Sequence, residues 1–252
     1  MTSREHALES ARRLVAERFP EATAAWLSGS VVLGGATSTS DLDITVLQAS
    51  GGAHRESLQY DGWPVELFVH TPDSVRHYVA QDRDRRRPTM ARLVSGGEML
   101  LDVDGSGAAL VAECTAAVAA GPPALEGSAL ELARYMLTDL LDDLVGGGPP
   151  AIMAAVAVEV WREATELLLA VEGRWSGTGK WLVRELEAHD DAAGSTYAPR
   201  LLAALRAALD GDPGPLVVVA DEVLDLAGGR LWAGFRLGGE APVSPASPRS
   251  GG

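Results

Sequence analysis

The chain has 252 residues, long enough to bury a sizeable core and to build one or two domains. Hydrophobic residues make up 46% and charged residues 22%, ordinary globular usage that excludes wholesale disorder and a fibrous fold. The net charge of −14 argues against a broad nucleic-acid partner, whose phosphates are gripped by lysine and arginine surfaces, and suits a cationic small molecule better.

In chain order, Ala7, Leu8, Ala11, Leu14, Val15 and Phe19 recur at helical spacing and predict a first helix closed by Pro20. The first turns carry Arg4, Glu5, His6 and Glu9 and no apolar h-region, so a secretory signal is not expected and the protein reads as cytoplasmic. Residues 24–27 predict a strand. Gly29 and Ser30 follow, ahead of Val31, Val32 and Leu33; a glycine there lets backbone approach a phosphate, and the N–H groups of a turn and helix start are donors to an anion. From Asp41 onward the residues alternate, with Leu42, Ile44 and Val46 apolar, which is the period of a half-buried strand and throws Asp41 and Asp43 onto one face. Two carboxylates one residue apart suit a hard cation such as Mg²⁺. Residues 57–60 predict a strand before the turn Asp61-Gly62, and residues 64–69 another, in which Glu66 points away from Val65, Leu67 and Val69.

A short helix is expected over residues 74–80 behind Pro72, a further helical turn over 90–94, and an edge strand over 99–103. Arg83, Arg85, Arg86 and Arg87, interleaved with Asp82 and Asp84, read as a solvated loop or helix end; the functional reading has one or two of them, or Arg92, reach a nucleotide or face the acidic helical domain. Asp102 and Asp104 repeat the Asp-x-Asp spelling, but glycines follow them instead of preceding them, which is turn chemistry. Beyond residue 107 the pattern turns to alanine and leucine with helical period. Helices are expected at 108–119, 126–145, 151–172, 179–189, 198–209 and 214–227, with no convincing strand. The apolar run 151–171 holds Glu159, Arg162, Glu163 and Glu166, too many charges for a membrane span. Cys114, the single cysteine, excludes an intramolecular disulfide and reads as a buried structural thiol in a reducing compartment.

The fold class expected is α+β: residues 1–107 as a mixed sheet with flanking helices, 108–239 as an all-helical bundle, and 240–252, rich in Pro, Ser and Gly, as a disordered tail.

Gly29-Ser30, the ten residues after it, Asp41-x-Asp43 on a strand and the strand-borne Glu66 together resemble the signature of the polymerase-beta-like nucleotidyltransferase superfamily, in particular the antibiotic nucleotidyltransferases that modify aminoglycosides and lincosamides. The likeness implies a Mg²⁺-dependent transfer of a nucleoside monophosphate from a nucleoside triphosphate, ATP first among them, to a hydroxyl of a small, possibly cationic molecule, with release of pyrophosphate. It implies Asp41, Asp43 and Glu66 as metal-binding catalytic acids, and Gly29, Ser30 and Lys180 as nucleotide contacts. Lys180 closes the loop Arg174-Trp175-Ser176-Gly177-Thr178-Gly179 and is the sole lysine of the chain. Glu131, Tyr135, Asp139 and Asp142 share one helical face that resembles the acidic acceptor wall of aminoglycoside-modifying relatives, with Asp139 the candidate for orienting the acceptor or serving as base. One departure stands out: where many relatives carry an arginine shortly after Gly-Ser, this chain has Leu33, Gly34 and Gly35, so triphosphate charge must be met elsewhere. The alternatives are a protein-modifying transferase of toxin-antitoxin type, which usually lacks a helical domain, and a non-catalytic nucleotide-binding descendant, against which the intact acids count.

Overall fold

The computed structural model describes residues 3–35, 37 and 39–238; the expected disordered tail lies outside the described residues. The chain divides into two compact units, Met1–Ala124 with Glu172–His189, and Leu125–Val171 with Asp190–Gly252.

In the first unit, helix α1 (Ser3–Arg18) leads to β1 (Ala24–Ser28), the single turn α2 (Ser30–Leu33), β2 (Leu42–Leu47) and the hairpin β3 (His54–Tyr60) and β4 (Trp63–His70). Then come α3 (Pro72–Asp84), α4 (Thr89–Ser95), β5 (Glu98–Asp102) and α5 (Ser106–Ala119). The strands form one mixed sheet in the order β3-β4-β2-β1-β5, in which β2 and β4 run parallel and the other pairs antiparallel. The hairpin turns on Asp61 and Gly62, both at positive φ, the two-residue turn that matches strand twist. Asp61 also anchors α1, accepting hydrogen bonds from Ser10 and Arg13.

Alternation sorts the sheet's side chains into two faces. One packs Leu27, Ile44, Val46, Val65 and Leu67 against Ala7, Ala11, Leu14 and Val15 of α1. The other packs Trp26 and Leu47 against Val75 of α3, Met90 and Val94 of α4, and Leu110 and Cys114 of α5. Thr71 caps α3 in a reciprocal box with Ser74, and Pro72 occupies its first turn. Asp102 accepts from the backbone N–H groups of Gly105, Gly107 and Ala108, and Asp104 from Ser106, so this second Asp-x-Asp holds the turn that leads into α5.

Helical period alone does not say which body a helix covers, and the expected boundary at residue 107 differs from the contact units on that account. Leu110 and Cys114 are buried against the sheet, and Trp175 donates to the carbonyl of Val118, so α5 and the residue 172–189 segment belong with the strands. Burial also pushes the Cys114 thiol up to about 11. Native Cys114 is expected to resist iodoacetamide at about pH 8.5, where an ordinary thiol is half ionised, while the urea-unfolded chain is alkylated readily. Equal rates in the two states, read by mass spectrometry, would contradict this packing.

The second unit contains α6 (Gly127–Gly146), α7 (Pro150–Val171), α9 (Tyr197–Leu209) and α10 (Gly214–Leu226); α8 (Lys180–Ala193) starts in the first unit and ends in the second. Leu137, Leu141, Val160, Leu168, Leu201, Leu216 and Val223 are buried among these helices. Asp190 holds the start of α9 by accepting from the N–H groups of Tyr197 and Ala198. Among the described residues no helix is long and apolar enough to cross a membrane.

Candidate functional site

Parallel pairing of β2 with β4 sets Asp43 opposite Glu66, and antiparallel pairing of β1 with β2 sets Ser28 opposite Asp43. Both carboxylates therefore stand side by side on the sheet face that carries Trp26 and Thr45, at the end of β2 where the chain enters the strand. Asp41 lies just before β2 and joins them: each of Asp41, Asp43 and Glu66 offers an oxygen, and those oxygens all lie within 4.8 Å of one another, half-buried.

Three carboxylates so close repel, and the middle one bears the cost. Asp43 is pushed up from 3.8 to about 6, first by burial and then by the charges of Asp41 and Glu66, against the opposing pull of Lys180 and Arg55. A divalent cation would relieve this repulsion, and the all-oxygen donor set fits a hard ion such as Mg²⁺. Arg55 of β3 hydrogen-bonds Glu66 and stacks over Phe68, 5.2 Å from the ring centre. A cavity of about 330 Å³ opens beside Asp41 and Glu66, lined from the hairpin by Ser57, Gln59 and Pro64.

Gly29 is built into this cluster. Its φ of +79° belongs to the region that favours glycine, and a Cβ there would collide with Asp43 Oδ2 and stand 3.1 Å from Asp43 Cγ. Ser30 opens α2, and its hydroxyl donates to Ser40 at 2.9 Å, while the N–H of Thr37 donates to Ser40 Oγ at 2.8 Å, which ties the start of this loop to its end. Beneath it Ser28 donates to the carbonyl of Leu93 in α4, under a glycine, Gly97, where a Cβ would meet Ser28 Oγ at 2.5 Å.

The segment before α8 brings Lys180 into the same unit, close enough for its charge to pull on Asp43. Ser176 donates its N–H to the carbonyl of Arg86, which fixes this loop to the turn after α3. Arg92 makes a two-pronged ion pair with Glu185 of α8, so the charge of this arginine is already met within the protein. No family model matches the chain, and no curated protein does. Among solved structures it is similar to a nucleotidyltransferase-like protein from Exiguobacterium sibiricum 255-15, 11% identical over 88% of this chain and 76% of that one, with a TM-score of 0.46. A likeness at that distance carries no weight for the function, which rests on the geometry above.

The sequence residues thus brought together are Gly29, Asp41, Asp43, Glu66 and Lys180, with Ser30 beside them. Asp139 lies in the second unit, half-buried on α6. The acidic strip around it is partly engaged. Tyr135 stacks on Phe235 at 4.2 Å and on Trp232 at 5.4 Å, and Asp142 accepts from Arg230, which also grips Asp221. Those partners come from the segment after α10, whose sequence has no period to announce its course. Glu131 and Asp139 are left as the strip's acids without a hydrogen bond or ion pair among the described residues.

Proposed function

We propose that the protein is a nucleotidyltransferase, moving a nucleoside monophosphate from a nucleoside triphosphate to a hydroxyl of a small cationic molecule of aminoglycoside type. The observation that carries this reading is the in-register trio Asp41, Asp43 and Glu66, with Gly29 pressed on the Asp43 carboxylate. Asp41 and Asp43 are the residues that would hold Mg²⁺, with Glu66 as third acid. Bound there, the ion would neutralise charge on the nucleotide phosphates.

In the reaction the acceptor oxygen bonds to the α-phosphorus, the bond from that phosphorus to the β-phosphate bridging oxygen breaks, and pyrophosphate leaves with the electron pair. Lys180 supplies positive charge toward the leaving phosphates, and the backbone N–H groups of Gly29 and Ser30, at the turn that starts α2, are donors toward the same anion. The acceptor proton passes to a carboxylate, Glu66 being in place beside a cavity with room for a hydroxyl-bearing group. A cationic acceptor is supported by the −14 net charge, which steers positive ligands toward the protein. ATP is the first candidate donor.

The test is a transfer screen with α-labelled ATP, GTP, CTP and UTP against aminoglycosides, lincosamides and cell extract. Label on a cationic antibiotic with release of pyrophosphate is the expected result. Label on a protein in the extract, with none on the antibiotics, would replace this reading by the protein-modifying one.

A further inference from the structure

The loop from Gly29 to Gly35 contains no cation of its own. We propose that Arg184 of α8 supplies it, as a phosphate-binding residue that grips the β- and γ-phosphates of the bound nucleotide together with Lys180; this rests on the nucleotidyl-transfer reading. Arg184 Nη2 stands 3.2 Å from where a Cβ of Gly35 would be, so the guanidinium lies directly against the loop. Gly35 in turn donates its N–H to the carbonyl of Ser30 at 3.0 Å, and Gly29, at the loop's other end, abuts Asp43. Arg184 is one α-helical turn beyond Lys180, so the two cations share a face of α8.

What holds Arg184 is an aromatic ring rather than an acid. Its Cζ lies 4.7 Å from the centre of Trp181, and Arg92 approaches the same ring at 5.9 Å. The two arginines differ in how their charge is met: Arg92 is neutralised by Glu185, whereas Arg184 has neither an ion pair nor a hydrogen-bond acceptor among the described residues. A half-buried guanidinium in a chain with 35 acids and 21 bases would ordinarily be paired. The ring holds the guanidinium in place without using its N–H donors, which can bind a phosphate through two parallel hydrogen bonds. The support is itself rigid. A Cβ on Gly177 would fall 2.6 Å from the Trp181 carbonyl carbon, so the loop before α8 packs directly on that tryptophan's backbone. Two cations on one helix face, set beside a loop that ends at the carboxylates, select for a chain of phosphates over a single one.

The experiment is isothermal titration of the full chain with tripolyphosphate, ATP and AMP, each with Mg²⁺. Arg184→Gln keeps the stem over Trp181 and removes the charge; it is expected to weaken tripolyphosphate and ATP by about 10- to 100-fold while AMP changes by less than about twofold. Gly35→Ala, which pushes the guanidinium without deleting it, is expected to weaken the same two ligands by about 3- to 10-fold, and it keeps the question answerable should Arg184→Gln fail to fold. Wild-type affinity for tripolyphosphate in either folded variant, or an equal loss for AMP, overturns the role of Arg184 and leaves nucleotidyl transfer standing. A wild type that binds neither ATP nor tripolyphosphate overturns both.

Discussion

Asp43→Asn is expected to lower nucleotidyl transfer by about 10³-fold or more and, at the same time, to stabilise the folded protein at neutral pH by roughly 1–2 kcal/mol. The loss of activity follows from removing the central oxygen donor of the trio. The gain in stability follows from the raised pKa. Because the folded state holds the Asp43 proton up to about 6 against 3.8 ordinarily, its favourable contribution is complete below 3.8 and is lost as pH rises through 6. Above that the ionised carboxylate is a liability that asparagine lacks. The full shift would correspond to about 3 kcal/mol, and the partial exposure of the group reduces this to the range given. Thermal melts of both proteins at about pH 4 and about pH 7.5 should therefore differ only at the higher value. An asparagine variant that keeps full activity, or that melts below the wild type at neutral pH, would remove Asp43 from the centre of the site.

Gly29→Ala should damage both the fold and the site. Two costs add: a side chain at φ +79°, and a Cβ driven into Asp43 Oδ2. Together they are expected to destabilise the protein by about 2–4 kcal/mol and to turn the Asp43 carboxylate away from Asp41 and Glu66. Gly34 separates these effects, since its φ is +81° but nothing lies within 4 Å of a Cβ there. Gly34→Ala should cost only the backbone strain, about 1–2 kcal/mol, and leave Mg²⁺ binding intact. Chemical denaturation with Mg²⁺ titration of both variants checks the pair, and equal Mg²⁺ affinity in the two would show that the close approach to Asp43 is incidental.

The strands and the trio were legible because period two is short-ranged: Leu42, Ile44 and Val46 declare one face, so Asp43 must take the other, and Val65, Leu67 and Val69 do the same for Glu66. Asp61-Gly62 announced its hairpin through the φ each residue tolerates, and Asp102 its turn through the glycines after it. The placement of α5 was not legible, because Leu110 and Cys114 mark an apolar face without saying what covers it. Arg184 escaped for a related reason. Its signal is the meeting of Gly35 with a helix far along the chain, and the glycine reads locally only as a loop residue. The engagement of Tyr135 and Asp142 depended likewise on Arg230, Trp232 and Phe235, residues from a stretch with no regular pattern.

The Asp41, Asp43 and Glu66 carboxylates are proposed to hold a divalent metal together with a nucleoside triphosphate. Isothermal titration of the wild type and of Asp43→Asn with the four Mg²⁺-nucleoside triphosphates tests it most directly. Tight, Mg²⁺-dependent binding of at least one nucleotide by the wild type, weakened by about 10²-fold or more in the variant, is the result predicted. Equal binding by the two proteins would contradict it.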